Sequence, residues 1–424
     1  MNKTRWIVDF SQTEQVRECD DAFIKRLPED TKIFDTKEEA LAEAKEIVNK
    51  ALTHDTNFVQ AEKDIVVKPV RYETRFTFVE PSVTPVLESD LQRKVERCYR
   101  ICYKSEQHMK ETPDAFLKNL IYHTTGNHHW SPLEHARIEM KLGGVLAGTL
   151  NAWEEWRGTR FLWFAGTPPV KDCGVFKLVE SQQEEIYGVR GNFRTLLEFI
   201  TYEPDEKEGG MMACQYVLAK ALSEKYPAIF TTEMVEDLHK KVKDHEQYIP
   251  FKYFDMTCKI VGQACDYRTY HIVTTRDILQ ELARHRAMSF SVESTRYCNY
   301  GKKGMVFTVP RPYAWADEVL KEFNKPDEDE TDYLKSPEAM IYFSAIFGSV
   351  VNYNFLIGNK VKPQVARMVL PGALKTELMM TATIPQWEAF LKLRDDDAAH
   401  PQIRILAEMI KKDLNDNVFI HSGN

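Results

Sequence analysis

The chain has 424 residues, of which 43% are hydrophobic and 28% are charged, and its formal net charge is −8. This supply of apolar side chains is enough for a large core, which excludes a disordered or fibrous protein. The acidic balance and the absence of a long basic block argue against a nucleic-acid partner.

The cysteines and the N-terminus bear on the cellular compartment. The 8 cysteines are scattered without CxxC spacing, which disfavours a structural zinc site and a disulfide scaffold. The first ten residues lack the apolar run of a signal peptide, and we find no run of the roughly 18 apolar residues that a spanning helix requires. The sequence therefore predicts a cytoplasmic protein without a membrane partner.

Residues 1–75 are predicted to form an N-terminal extension of unknown role. It contains a predicted strand at 6–10 and a helix opened by a capping box of Thr36 and Glu39. Alternating segments at 65–70 and 72–78 are typical of strands. No chemical motif lies here, so packing or oligomerisation is the simplest interpretation.

A helical pattern follows the extension. Apolar residues spaced three and four apart from 91 to 101 predict a first helix, and Thr112-Pro113 predicts the start of a second. The motif at 128–135 comes next, and alternating residues at 136–142 predict a strand after it. The motif is therefore expected at a helix-to-strand corner.

Residues 143–268 are interpreted as an insertion. Their composition is heterogeneous, with an aromatic run at 153–163 and an acidic loop at 203–210. Asn192 and Arg194 open a predicted apolar helix within this stretch. That pair could lie near a ligand, although an ordinary helix start with an exposed arginine explains the spacing more simply.

The region from 269 to 424 is predicted to be mostly helical. A capping box of Thr274 and Asp277 is expected to start a helix that carries Arg284-His285-Arg286. A strand at 305–309 and an acidic linker near 325–332 are expected to follow. Further helices are predicted from Ser336-Pro337, Pro363, about 385 and about 401. The fold class of the whole chain is predicted to be α+β and helix-rich.

Positive charge is concentrated in the stretch from 284 to 297. Arg284-His285-Arg286 is followed, after an interval of seven residues, by Ser294 and then by Arg296-Tyr297. Arginines next to the buried apolar face of a helix favour bound anions that neutralise their charge. A hydroxyl, a guanidinium and an aromatic ring together suit a nucleotide monophosphate. On composition alone, a solvated basic helix end is an equally good interpretation.

The spacing of these residues resembles the signature of the flavin-dependent thymidylate synthases. The resemblance extends over residues 79–142 and 270–415, and includes His129-x-Ser131-Pro132-Leu133-Glu134-His135 and arginine motifs at 366–371 and 390–401. It implies the fold of a thymidylate synthase complementing protein with a central antiparallel sheet. It also divides the chain into an extension at 1–75, a synthase domain at 76–142 and 269–424, and an insertion at 143–268.

The resemblance also implies an activity and an assembly. Members make dTMP from dUMP, with methylenetetrahydrofolate as carbon donor, NADPH as reductant and FAD as cofactor, in a homotetramer whose sites lie between subunits. By position, the flavin contacts would be His129, Ser131, Glu134, Arg284, His285, Arg286, Thr383 and His400. The nucleotide contacts would be Glu281, Arg284, Glu293, Ser294, Thr295, Arg296, Arg367 and Arg394. Arg394 would be catalytic, since a fixed cation beside the uracil favours ionisation at N3.

Two departures from the family pattern leave alternatives open. Val292 and Thr383 replace residues that are commonly polar or amide-bearing in the family. Flavin-dependent hydroxymethylation of a related pyrimidine nucleotide is therefore one alternative. A catalytically silent nucleotide-binding homologue is another.

Other reactive side chains have simpler interpretations. Cys298 could act as a thiolate nucleophile, but a buried structural cysteine is favoured. Zinc at the histidines of 128–135 lacks further ligands, and the acidic run at 395–397 is typical of a solvated helix end. No metal is expected.

Overall fold

The structure is a computed structural model. It describes residues 5–8, 16–19, 32–43, 76–109, 117, 129–157, 163–164, 185–249, 251–253, 256–323 and 334–418. The strand predicted at 65–70, the linker near 325–332, most of the helix after Thr112 and the side chain of His128 lie outside these residues. In the N-terminal extension, Thr36 and Glu39 form the predicted capping box, because each backbone N–H donates to the other's side chain.

The elements are numbered in chain order. The strands are β1 (Arg5–Val8), β2 (Val16–Cys19), β3 (Phe76–Val79), β4 (Ser82–Pro85), β5 (Arg137–Gly143), β6 (Trp163–Phe164), β7 (Ile186–Asn192), β8 (Cys258–Gln263), β9 (Tyr267–Thr275), β10 (Ser289–Val292), β11 (Met305–Thr308) and β12 (Lys375–Thr383). The helices are α1 (Leu91–Tyr103), α2 (Gly144–Arg157), α3 (Phe193–Ile200), α4 (Gly209–Lys225), α5 (Thr232–Asp244), α6 (Arg276–Leu282), α7 (Tyr300–Lys303), α8 (Trp315–Phe323), α9 (Pro337–Gly358), α10 (Pro363–Ala366), α11 (Ile384–Arg394) and α12 (Pro401–Val418).

A four-stranded antiparallel sheet of order β10-β12-β9-β4, here called the C-terminal sheet, lies at the centre of the C-terminal region. Helices α11 and α12 cover it, and their buried side chains join those of the two long strands in one core. The α+β class and the central antiparallel sheet are therefore confirmed.

A second four-stranded antiparallel sheet, here called the N-terminal sheet, has the order β6-β7-β5-β8. It has its own core, in which residues of α1 and β5 pack with residues of α2 to α5. Much of the stretch 143–268 thus shares a core with the segment before it. The domain boundaries at 142 and 268 stay a prediction.

A third core surrounds helix α9. The parallel pair of β3 and β11 packs with this helix through aromatic rings, including the contact of Phe78 with Tyr342 of α9. Among the described helices, α9 alone has the length and composition of a membrane span, with a mean hydropathy of 1.5 in its 18-residue window and only 22% of that window buried. The sequence expectation that no segment reaches this length was wrong.

Many predicted helix starts are confirmed, because their signals are local. Asn192 caps α3 by accepting a hydrogen bond from Thr195 N, and Ser336 caps α9 by accepting one from Ala339 N. The predicted apolar face of α1 is buried. The strand expected at 136–142 is β5, and the strand expected at 305–309 is β11.

The predictions around the arginine motif were partly wrong. Strand β9 continues through Thr274, so the N-terminal cap of α6 is Thr275 instead. The helix ends at Leu282, which places the Arg-His-Arg segment in the turn beyond it. The last hundred residues are also not all helical, because they contain β12. Nearly every residue of that strand is buried, so no polar alternation marks it in the sequence.

Candidate functional site

The turn after α6 presents two arginines to solvent. Arg284 and Arg286 are both exposed, and among the described residues neither makes an ion pair. His285, between them, turns inward and its ring packs edge-on against Phe390 of α11 with centroids 4.8 Å apart. The turn therefore has one arginine without an ion-pair partner on each side of the anchored His285 ring.

Arg394, the last residue of α11, fastens this turn from the opposite side. Its Nε donates to His285 Nε2 at 3.0 Å, its Nη1 to the Glu281 carboxylate at 3.0 Å and its Nη2 to the Glu281 backbone oxygen at 3.3 Å. Burial and the neighbouring Arg394 charge lower the pKa of His285, so the imidazole is neutral and accepts the hydrogen bond. The structure thus brings Glu281, His285 and Arg394 into contact with one another, and their roles toward nucleotide and flavin stay predictions.

A second group forms on the loop after β10. The Ser294 backbone N–H donates to Cys102 O at 2.9 Å, which ties the loop to the end of α1. Arg367 Nη1 donates to Thr295 Oγ1 at 2.6 Å. Arg296 is exposed, with its guanidinium carbon 5.4 Å from the centre of the Tyr297 ring. The loop therefore carries the Thr295 hydroxyl, which is bound by the Arg367 guanidinium, and the exposed guanidinium of Arg296.

A cavity of about 280 Å³ opens beside this loop. It is lined by Cys102, Tyr103, His129, Ser131, Phe290, Ser291, Val292, Ser294 and Tyr297. The Tyr103 hydroxyl lies 3.3 Å from His129 Nδ1, and burial lowers the pKa of His129, which keeps its ring neutral. The predicted flavin contacts His129 and Ser131 thus share a cavity with the predicted nucleotide contact Ser294.

The corner that carries Ser131 and Glu134 is fastened by a buried histidine. His135 Nδ1 lies 2.7 Å from Thr381 Oγ1, and its Nε2 lies 3.0 Å from Ser291 Oγ. Burial lowers the pKa of His135 to about 3, so a neutral ring links the corner to two strands of the C-terminal sheet. Glu134 itself accepts a hydrogen bond from Arg194 of α3 at 2.5 Å.

Glu293, at the start of the loop after β10, is buried, with only 4% of its surface exposed. Its carboxylate accepts a hydrogen bond from the Tyr300 hydroxyl at 2.8 Å and pairs with Lys375 Nζ at 3.0 Å. Burial alone would lower the pKa of Lys375, but the carboxylates of Glu293 and Glu377 raise it above its ordinary value. In this arrangement Glu293 supports the loop from inside, and its predicted contact with nucleotide stays a prediction.

Two further predicted residues make local hydrogen bonds at the starts of α11 and α12. Thr383 forms the capping box of α11 with Gln386. His400 is exposed, and its Nδ1 accepts a hydrogen bond from Gln402 N at 3.2 Å. Their roles as flavin contacts stay predictions.

Sequence reasoning missed Lys375, and although it named His135 within the motif and Arg194 as a residue that could lie near a ligand, it did not predict the contacts that either of them makes. No local pattern identifies them, because each partner lies far along the chain; Arg194 and Glu134, for example, are 60 residues apart. Cys298 is buried, and burial raises the pKa of its thiol, which fits a structural cysteine. Within the described residues, no cluster of histidine, cysteine and carboxylate side chains could hold a metal ion.

The chain is similar to a known protein family and to individual members of it. The family model of the thymidylate synthase complementing protein matches residues 86–162 and 200–418, more than half of the chain. The flavin-dependent thymidylate synthase of Aquifex aeolicus is 22% identical over 343 residues, which cover 76% of this chain and 93% of the relative.

Two shorter matches have higher identity. The probable flavin-dependent thymidylate synthase of Mycobacterium phage D29 is 30% identical over 149 residues, 35% of this chain and 60% of the relative's length. The flavin-dependent thymidylate synthase of Wolinella succinogenes is 31% identical over 148 residues, 35% of this chain and 66% of the relative. The chain thus spans less than two thirds of the phage relative it matches. By the extent of the family match, the chain belongs to the thymidylate synthase complementing protein family.

Proposed function

We propose that this protein is a flavin-dependent thymidylate synthase, a methyltransferase that makes dTMP from dUMP. Methylenetetrahydrofolate is the carbon donor, NADPH the reductant and FAD the cofactor. The observation that carries the proposal is a set of three exposed arginines that form no ion pair with the described residues: Arg284 and Arg286 in the turn after α6, and Arg296 between the cavity-lining residues Ser294 and Tyr297. Phosphate groups of a nucleotide and of a dinucleotide cofactor are the anions that such arginines bind best.

The residues present fit FAD. Its diphosphate needs cations, which Arg284 and Arg286 supply, and neutral hydrogen-bonding groups are available from Ser131 and His129 in the cavity. When bound, the flavin supplies the redox chemistry that converts the transferred carbon to a methyl group. His285 is neutral and held by Arg394, so it adds no further charge to the cofactor site.

The nucleotide is assigned to the loop after β10. Ser294, Arg296 and Arg367 would hold the dUMP phosphate through charge-assisted hydrogen bonds of about 1.5 to 3 kcal/mol each. Arg394 would face the uracil, and Glu281 would keep its guanidinium in one orientation. A fixed cation there stabilises the negative charge that develops on the ring as N3 ionises, which makes C5 more nucleophilic.

We further propose that the protein is a homotetramer of the cytoplasm, with sites completed between subunits and without nucleic-acid or membrane partners. Large apolar side chains are exposed directly beside the site arginines: Tyr297 is 62%, Met368 80% and Leu393 63% exposed. Helix α9 likewise exposes Ile341 and Phe355. Such apolar surface is typical of subunit contacts, which would also cover α9 in place of a membrane.

The test is an assay of purified protein with dUMP, methylenetetrahydrofolate and NADPH, in which the product is identified by mass. A yellow protein with flavin absorbance and a product of dTMP mass is expected. Val292 lines the cavity where a polar residue is common in the family, so a hydroxymethylated product would favour the alternative activity. The variant Arg286→Ala should lose flavin without losing its fold, since an exposed arginine contributes little to stability. Protein without flavin after reconstitution would contradict the proposal.

A further inference from the structure

The N-terminal and C-terminal sheets share the order of three of their four strands; the fourth strand follows these three along the chain in the N-terminal sheet (β8) and precedes them in the C-terminal sheet (β4). Each sheet has a short edge strand, two long strands and a fourth strand, and every neighbouring pair is antiparallel. Each also follows the same path along the chain: long strand, helix, short edge strand, long strand, helix, helix. In the N-terminal sheet these are β5-α2-β6-β7-α3-α4, and in the C-terminal sheet they are β9-α6-β10-β12-α11-α12, with further elements between β10 and β12.

The register of the two long strands is also the same. Arg137, the first residue of β5, lies opposite Asn192, the last residue of β7. Tyr267, the first residue of β9, lies opposite Thr383, the last residue of β12. Asn192 and Thr383 are each the N-terminal cap of the helix that follows. Agreement in register to the residue is not a requirement of antiparallel pairing, where a slip of one residue would move every side chain to the opposite face.

A backbone hydrogen bond repeats at the same place in both sheets. In the N-terminal sheet, Phe193 N donates to Ala136 O at 3.0 Å, which joins the first residue of the helix to the residue before the long strand. In the C-terminal sheet, Ile384 N donates to Asp266 O at 2.9 Å and makes the same connection. The two sheets therefore have the features of two copies of one structural unit.

The two copies differ in charge at the start of the helix that follows the second long strand. Two residues beyond the cap, the C-terminal copy has Pro385 and the N-terminal copy has Arg194. Arg194 Nε donates to Glu198 Oε1 at 2.8 Å, and Arg157 Nη1 donates to Glu198 Oε2 at 2.7 Å. The arginines of the N-terminal copy are thus neutralised by the protein's own carboxylates, whereas Arg284 and Arg286 in the C-terminal copy have no such partner in the described residues.

We propose that the chain is an internal duplication in which the N-terminal copy has lost an anion site of its own and supplies Arg194 as a positioning residue for Glu134. The inference rests on the proposed function, because Glu134 is assigned to the flavin. Arg194 Nη1 reaches the Glu134 carboxylate at 2.5 Å. The corner of Glu134 also carries Ser131, which lines the cavity beside the nucleotide loop.

The geometry explains how Arg194 acts at a distance from the ligand. The side chain of Glu134 is 21% exposed, so a free carboxylate could adopt several rotamers at the rim of the site. Arg194 is itself held by Glu198, and Glu198 by Arg157, so the chain of ion pairs fixes the carboxylate from the N-terminal copy. A network of this kind orients a side chain better than one isolated surface pair.

The test compares the affinity of apoprotein for FAD in Arg194→Gln, Arg194→Lys and Glu134→Gln with that of the wild type. We expect Arg194→Gln to raise the dissociation constant for FAD about tenfold. The reason is that Glu134 then lacks the charge-assisted hydrogen bond that orients its carboxylate. Arg194→Lys should recover part of this loss, since it keeps the charge. Adding Arg194→Gln to Glu134→Gln should change the affinity no further, because Arg194 acts through Glu134.

The matched control is Arg190→Gln, which breaks ion pairs of the same N-terminal sheet with Glu139 at 2.9 Å and with Asp266 at 3.5 Å. It should leave FAD affinity unchanged, and thermal unfolding should show that all variants fold. Wild-type FAD affinity in Arg194→Gln, or independent effects in the double variant, would overturn the inference. So would a second FAD per chain that is lost in Arg157→Ala. A wild-type protein that binds no FAD would instead overturn the proposed function itself.

Discussion

Removal of Arg394 tests the catalytic assignment most directly. A guanidinium has five N–H donors, of which three are used by His285 and by the carboxylate and backbone oxygen of Glu281. Two donors therefore remain for the uracil. At about 1.5 kcal/mol for each charge-assisted hydrogen bond, their loss from the transition state amounts to about 3 kcal/mol, or roughly 100-fold in turnover number. We expect Arg394→Ala to lower kcat by this factor.

The assay is steady-state kinetics at saturating dUMP, with flavin reduction by NADPH measured separately. Lys392→Ala is the matched control, because Lys392 is exposed on the same helix and makes no described contact with the site. Flavin reduction should survive in Arg394→Ala if its role is confined to the nucleotide. A turnover number equal to that of the wild type would refute the catalytic role. If Arg394→Ala lowers the rate of flavin reduction as much as it lowers kcat, Arg394 acts through His285.

Three further outcomes are expected from single changes. Arg296→Ala should raise KM for dUMP about tenfold with little change in kcat, because phosphate binding is shared by ground and transition states; steady-state kinetics checks this. Lys375→Met should lower the free energy of unfolding by about 3 kcal/mol, since the buried Glu293 loses its nearest cation and keeps only Lys104, whose Nζ lies 3.8 Å away, and urea denaturation should show recovery when Glu293→Leu is added. The hydrogen bond from His271 lowers the pKa of Glu377 to about 2, so its contribution to stability is present above pH of about 4 and is lost as the pH falls toward 2. Glu377→Gln should therefore flatten the acid limb of a stability profile measured by denaturation.

The parts of the fold that the sequence predicts are those with a local physical cause. Ser336 before Pro337 begins α9, and Asn192 begins α3, because a cap acts within three residues of itself. The two long strands of the C-terminal sheet were missed for the opposite reason. Strands β9 and β12 are buried on both faces, so their sequences lack the alternation that distinguishes a strand from a buried helix.

In the site, too, features with a local sequence signal were predicted, and features that depend on distant segments were not. The arginine motif and the corner at 129–135 are recognisable from residue types and spacing alone. Their supports are not: His135 acts through Thr381, and Glu293 through Lys375, across segments that only the folded sheet brings together. The turn geometry of Arg284 to Arg286 was also not predictable from the helical pattern, because α6 ends before the motif begins.

In the proposed homotetramer, the surroundings of the arginines would link ligand binding to subunit assembly. Arg296 and Arg367 lie beside exposed Tyr297 and Met368, so a second subunit that covers the apolar side chains would also withdraw water from the guanidinium groups. Withdrawal of water lowers the local dielectric and strengthens their attraction for phosphate. A lower dielectric also makes the arginines repel one another more strongly when no nucleotide is bound. The assembly without dUMP is therefore less stable than the assembly with dUMP. Thermodynamic linkage then requires dUMP to stabilise the assembly and dilution to weaken dUMP binding. Sedimentation of dilute protein with and without dUMP measures this coupling, and an assembly indifferent to dUMP at every concentration would show that the nucleotide loop is complete within one chain.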